Sequence, residues 1–348
     1  MDNQTSFSIV IPVQNGSKTI ERLFGSLISQ KEMIHEVLVC NDQSTDDTVK
    51  IAERYKGMLP ITVIDVPKEI GNNPGRARQC GLDQASGDWV VFADADDLLS
   101  ASAVWYYNKI ISDNPEAKMI CAALDEIRAS DFHPLEHLAK PYAWVHAKAF
   151  NLGYIREHGI RFHDTLYTHE DKFFVLLNLF DMVASESKVI AEDVTTYYWM
   201  RSENTMVSRD KGKYPIKSHV DAMDATIIPC EMVAKKYGLT QEKVKELFGE
   251  SLFSCITDDY SKIQASVFKW GREVLDEYNI LKRVPKRVQK ISQLTGWTYQ
   301  DFLNIAWQDA NRLVKGKNDS VRTIGEFVPS QTFSEYLTMM RDLADKVK

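Results

Sequence analysis

The first half of the chain alternates short apolar runs with amphipathic stretches. FSIVIPV (7–13), HEVLVCND (35–42), ITVIDVP (61–67) and WVVFADAD (89–96) have the length and β-branched content of strands. The first and fourth are apolar enough to be covered on both faces. Between them, SKTIERLFGSLISQ (17–30), STDDTVKIAERYKG (44–57) and NPGRARQCGLDQAS (73–86) space their apolar residues at helical intervals behind Ser, Thr, Asp or Asn caps. This alternation predicts a doubly wound α/β sheet, whose ligands bind beyond the carboxyl ends of the strands. Further on, KMICAALDEIR (118–128) reads as another strand and HEDKFFVLLNLFDM (169–182) as a helix. From about residue 215 the pattern turns purely helical, with segments at 216–238, 240–263, 297–316 and 331–347. The change of period divides the chain into an α/β domain over 1–212 and a helical domain over 213–348.

A length of 348 residues suits two domains, and 44% hydrophobic with 26% charged residues is ordinary for a globular protein. No run of about eighteen apolar residues occurs, and the polar start MDNQTSFSIV lacks the basic and apolar regions of a signal peptide, so a soluble, cytoplasmic protein without membrane insertion is expected. Five scattered cysteines without CxxC spacing argue against a disulfide framework or a zinc site and predict buried free thiols. The net charge of −7 is uneven: residues 1–210 carry 20 Lys and Arg against 31 Asp and Glu, and the remainder 22 against 18.

Three of the four early strands end in polar residues, PVQN, CNDQST and ADADD, which a shared ligand cleft would explain. In WVVFADADDLLS, four apolar residues run into Asp94, Asp96 and Asp97 with no lysine or arginine close in sequence. Carboxylates crowded at a strand end repel one another, and a divalent cation is the economical remedy. An acidic loop capping the next helix is the plainer alternative. A dinucleotide site requires G-x-G-x-x-G after the first strand. IPVQNGSKTI has a single glycine there, and GRARQCG (75–81) comes two strands later without that spacing.

Taken in order, SIVIPVQNGSKTIERLFGSLISQ, EVLVCNDQSTDDT, GRARQCGLDQASGDWVVFADADD and HEDKFF resemble the family 2 glycosyltransferases of the GT-A fold, over roughly residues 6–210. The resemblance implies a Rossmann-like mixed sheet with helices on both faces, here followed by an all-helical C-terminal domain for acceptor binding or assembly. It also implies a UDP-sugar donor, a Mn²⁺ or Mg²⁺ ion, and transfer with inversion. Within it, Asp96 matches the metal ligand, and Asp94 the residue at the ribose or a metal-bound water, with Asp97 supporting. Asp42 matches the acceptor of the uracil imide N–H, and Pro12 and Asn15 stand beside the nucleotide. Arg78 matches the arginine that faces the nucleotide, where a guanidinium fork suits phosphate or a base oxygen. Asn41, Gln43 and Gln14 depart from the family pattern, which usually has aspartate, glycine and an aromatic residue there. Asp171 matches the base that deprotonates the acceptor hydroxyl, with Glu170 orienting acceptor or base. Charge complementarity at a helix start would account for both acids as well. Arg201 and Ser208 resemble the loop that closes over the diphosphate. Trp144, His146 and Lys148 lie in a segment, WVHAKAF, that contacts sugar or diphosphate in the family or simply packs.

The acceptor stays open. A hydroxyl on a polysaccharide, lipid-linked glycan or teichoic-acid-like chain is favoured. LKRVPKRVQK (281–290) and RLVKGKNDSVR (312–322), near Trp270, Trp297 and Trp307, also allow an anionic polymer, and hence a bacteriophage-type DNA glycosyltransferase acting on 5-hydroxymethylcytosine. Charged helix faces over an ordinary core are the alternative for those clusters. A non-catalytic nucleotide-sugar-binding protein and a nucleotidyltransferase are further alternatives, against which the set Asp42, Asp94, Asp96 and Asp171 and the lack of a glycine-rich, lysine-bearing first loop weigh.

Overall fold

The computed structural model describes residues 5–68, 73–139, 143–166, 168–201, 214–255, 280–298 and 301. The chain divides into two compact units, Met1–Gly212 and Lys213–Lys348. In the first unit the described residues form nine strands: β1 (Phe7–Val13), β2 (Ile34–Asn41), β3 (Ile61–Asp65), β4 (Trp89–Phe92), β5 (Leu98–Leu99), β6 (Ala117–Arg128), β7 (Pro134–Leu138), β8 (Lys148–Asn151) and β9 (Lys188–Arg201). Their order is β3-β2-β1-β4-β8-β6-β9-β5, with β7 paired to β6. The four strands read from the apolar pattern pair in parallel, as β6 and β9 also do. β8 then runs antiparallel to both β4 and β6, which makes the sheet mixed. β1 is central and buried along nearly its whole length, whereas β3, at the sheet edge, alternates buried and exposed residues. β4 stops at Phe92, earlier than the apolar run suggests, so the ADADD segment lies beyond the strand.

Among the described residues, six α-helices accompany this sheet: α1 (Ile20–Ile28), α2 (Thr48–Tyr55), α3 (Pro74–Gln84), α4 (Ala103–Asp113), α5 (Leu152–His158) and α6 (Glu170–Ala184). α1 buries Ile20, Leu23, Phe24 and Leu27, one stripe of its surface. α3 begins with Pro74 behind an Asn73 cap and lies close against the sheet at Gly81, where a β-carbon would come within 2.5 Å of Val10 and 2.7 Å of the Cys40 sulfur. A second apolar layer joins Phe92, Phe150, Phe162 and Phe174, whose rings meet edge-on or stacked and fix α6 to β4 and β8.

In the second unit the described helices are α7 (Tyr214–Tyr237), α8 (Gln241–Ser254) and α9 (Ile280–Thr295). Val220, Met223, Ile227, Val244, Phe248, Leu252 and Ile291 are buried in it. The expected helices at 297–316 and 331–347 lie almost wholly outside the described residues, as do Trp270 and Trp307. All five cysteines are free thiols; four are buried and Cys80 is half-buried. No described helix is long and apolar enough to cross a membrane.

Candidate functional site

Because β1 and β2 run parallel, with Pro12 opposite Cys40 and Val13 opposite Asn41, the turns that follow them lie side by side. The Asp42 N–H donates to the Val13 carbonyl at 2.8 Å, and Gln14 Nε2 donates to the Asp42 carbonyl at 2.9 Å. Asn15 adopts a left-handed backbone and accepts the Thr45 N–H on Oδ1 at 2.8 Å. Asn41 donates from Nδ2 to Asp65 at 2.7 Å and accepts the Ser44 N–H at 3.1 Å. An aspartate at position 41 would lose that donor and repel Asp65, which accounts for the departure from the family pattern. The Asp42 carboxyl is buried, and burial raises its pKa although Gln43 donates to it at 3.5 Å.

The centre of the site is Arg78, on α3 and only 4% exposed. One guanidinium nitrogen donates to Glu170 Oε1 at 2.8 Å and another to Asp94 Oδ1 at 2.7 Å, joining the start of α6 to the end of β4. Arg76, its neighbour, instead donates to the Asp164 carbonyl at 2.8 Å. Gly75 is what lets the two helices approach: a β-carbon there would sit 2.7 Å from Glu170 Cγ and 2.9 Å from Glu170 Cβ.

Asp94 also faces His146, whose Nε2 lies 3.1 Å from Oδ2. Burial opposes the charge on Asp94, but Arg78 and His146 outweigh it and hold the carboxyl well below the usual carboxylate range. Asp97 is enclosed: Tyr197 Oη donates to Oδ2 at 2.7 Å and the Met200 N–H to Oδ1 at 2.7 Å. Burial first, and the neighbouring charge of Asp96 next, push Asp97 up to about 8. The Tyr197 hydroxyl in turn accepts the Asp94 N–H at 3.0 Å. Oxygen or nitrogen atoms of Asp94, Asp97 and His146 lie within 4.8 Å of one another. Asp96, the expected metal ligand, has an exposed side chain outside this trio; its carbonyl accepts a hydrogen bond from Arg22 at 2.5 Å, and burial of the surroundings together with Asp94 raises its carboxyl.

Glu170 and Asp171 divide in environment. Glu170 is buried against Arg78, and burial followed by the Asp171 charge pushes it up to about 7. Asp171 is half-buried and accepts the Lys172 N–H at 2.7 Å. The structure therefore brings Arg78, Asp94, Glu170 and Asp171 together with Asp97 and His146, and knits Pro12, Asn15 and Asp42 at the neighbouring strand ends. Arg201 is not joined to them: it is exposed at the end of β9, over the Trp199 ring at 4.6 Å and 3.8 Å from Glu126. Ser208 lies outside the described residues. Tyr197 and Arg22 were not legible as site residues, since one sits within an apolar strand pattern and the other on a helix far from the motifs in sequence.

Residues 8–153 match the model of glycosyl transferase family 2. A poly(ribitol-phosphate) beta-N-acetylglucosaminyltransferase, TarS of Staphylococcus aureus, is 38% identical over 96 residues, which is 27% of this chain and 17% of that protein. The chain thus matches about a sixth of this curated relative. Among solved structures, S. aureus TarS 1–349 in complex with UDP-GlcNAc superposes with a TM-score of 0.60 at 16% identity, covering 98% of this chain and 91% of that one. The mannosyltransferase PcManGT of Pyrobaculum calidifontis, in complex with GDP-Man and Mn²⁺, superposes with a TM-score of 0.54 at 14% identity, covering 99% and 87%. Its mixed sheet and flanking helices give the chain the GT-A fold, and residues 8–153 within it are the stretch that is similar to glycosyl transferase family 2.

Proposed function

We propose that the chain is a divalent-metal-dependent, inverting glycosyltransferase that moves a sugar from a UDP-sugar to a hydroxyl of a glycan acceptor, a teichoic-acid-like polyol phosphate being the favoured class. The observation that carries this is the buried bridge Asp94–Arg78–Glu170, which ties the donor-side carboxylates to the acceptor-side pair in one rigid unit. The names of the relatives support the same reading: TarS modifies poly(ribitol phosphate), and its solved complex holds UDP-GlcNAc.

The residues fit a hard divalent cation. Asp94 and Asp97 offer carboxylate oxygens and His146 a buried Nε2 that makes no aligned hydrogen bond, with the exposed carboxylate of Asp96 adjoining them in sequence. Oxygen donors with one imidazole suit Mn²⁺ better than Mg²⁺. When bound, such an ion supplies neutralisation of the charge that collects on departing UDP. In this reading Asp42 accepts the imide N–H of uracil, and Pro12 and Asn15 form the adjoining wall. Arg78 keeps Asp94 ionised and holds Glu170, so that Asp171 at the first turn of α6 takes the proton from the acceptor hydroxyl as it attacks the anomeric carbon. Glu170 acts by fixing that turn.

The basic residues of α9 do not favour DNA. Arg287 pairs with Asp224 and Lys290 with Glu231, so part of the cluster neutralises acids of α7.

The test is UDP release from a panel of UDP-sugars with Mn²⁺, with and without poly(ribitol phosphate) or duplex DNA containing 5-hydroxymethylcytosine. Release stimulated by the polyol phosphate and abolished by EDTA is expected. Stimulation by the modified DNA alone would overturn the acceptor assignment, and full activity in EDTA the metal dependence.

A further inference from the structure

Lys148 opens β8 in the middle of the sheet and is completely buried. An ammonium group in such a place is costly unless its protons find acceptors. Two of its acceptors are backbone carbonyls just upstream: Nζ donates to Trp144 at 2.6 Å and to His146 at 3.3 Å. Between these carbonyls and the strand stands Ala147, whose φ of 54° is in the left-handed region that a β-carbon disfavours. Backbone preference alone therefore does not hold this turn, and the ammonium ties its carbonyls together from below.

The side chain carried on the turn is His146. Its ring stacks on Tyr197 with centroids 4.7 Å apart and an interplanar angle of 28°, and its Nε2 approaches Asp94. The neighbouring Trp144 packs on Trp199 at 5.3 Å. An apolar residue of similar volume is what a central strand normally takes here. It would fill the space without gripping the carbonyls.

We propose that Lys148 is a positioning residue for the donor end of the site: its ammonium clamps the 144–147 turn and so fixes the His146 imidazole against Asp94 and Tyr197. The inference rests on the reading of the Asp94–Asp97–His146 cluster as the diphosphate end of the site.

The experiment is histidine-selective NMR on the full chain, with the His146 signal identified among the eight histidines by His146→Asn, combined with UDP-release kinetics. Lys148→Met is expected to shift or broaden the His146 signal while the others stay, and to lower turnover by about 10–100-fold, as loss of a supporting partner around a metal site does. Combining it with His146→Asn is expected to cost no more than His146→Asn alone, because the two act through one path. Lys148→Gln, which keeps a donor, should recover part of both signals. An unmoved His146 signal in folded Lys148→Met, or additive losses, would overturn the clamp. Failure of both Lys148 variants to fold would overturn it too, by making the lysine a requirement of the sheet. If the signal moves but His146→Asn turns over normally, the clamp stands and the diphosphate reading fails.

Discussion

Replacing Gly75 by alanine puts one methyl group between α3 and α6. The new carbon would lie 2.7 Å from Glu170 Cγ and 2.9 Å from Glu170 Cβ, against an ordinary carbon contact of about 3.5–4.0 Å, so a gap of about 1 Å must open. A flexible side-chain end could move aside, but a Cβ atom moves only with its helix. The first turn of α6 must therefore shift, and it carries both Glu170 and Asp171. Overpacking of this kind costs about 1–3 kcal/mol, or about 3–9 °C in Tm for a unit of this size at roughly 3 °C per kcal/mol. The same shift works against the 2.8 Å bond from Arg78 to Glu170, and a 1 Å misplacement of reacting groups costs on the order of 100-fold in turnover. Gly25 is the control: in mid-helix α1, a β-carbon there meets nothing within 4 Å, so Gly25→Ala should stabilise by about 0.5–1 kcal/mol without touching activity. Melting curves and UDP release on both variants decide it. A Gly75→Ala protein with wild-type Tm and turnover would refute the close approach of the two helices.

Asp171→Asn should leave Tm within about 1 °C, as expected for a half-buried residue whose carboxylate accepts its neighbour's N–H, while removing nearly all sugar transfer; substantial transfer by the variant would take the base role from Asp171. Gln43 adopts φ 59°, so Gln43→Gly should gain about 0.5 kcal/mol in a urea titration, the left-handed penalty of about 1–2 kcal/mol less about 1 kcal/mol for the freer unfolded chain. A clear loss of stability would mean that the Gln43 side chain contributes more than its backbone costs. For Asp46, burial opposes ionisation, but hydrogen bonds from Ser17 and Thr48 draw its carboxyl down to about 2. A lowered carboxylate stabilises the fold above its ordinary pKa of 3.8 and loses that contribution as pH falls through about 2. Asp46→Asn should accordingly lower Tm at pH 7, with the difference shrinking as pH falls from about 4 through about 2, and a Tm difference that persists unchanged in acid would contradict this.

The sequence by itself determined the α/β half, the change to helices near residue 215, and most of the residues that meet at the candidate site. Those follow from local causes: apolar period, capping residues, and carboxylates at the ends of buried strands. What it left open were the pairings. Three carboxylates in ADADD look alike in sequence, yet only the tertiary structure separates them, enclosing Asp97 beneath Tyr197, tying Asp94 to Arg78, and leaving Asp96 exposed. The positive charge that the motif demands comes from Arg78, 16 positions away from Asp94, and His146, 52 positions away, adds its ring nitrogen, because α3 and the turn before β8 converge on the end of β4. Likewise HEDKFF announces two acids at a helix start, and it is the Arg78 contact across the gap left by Gly75 that buries Glu170 and keeps Asp171 half-exposed. Charge, length and period are properties of a segment and can be read along it. Burial, and the counter-ion each charge meets, belong to segments brought together, and only the folded chain decides them.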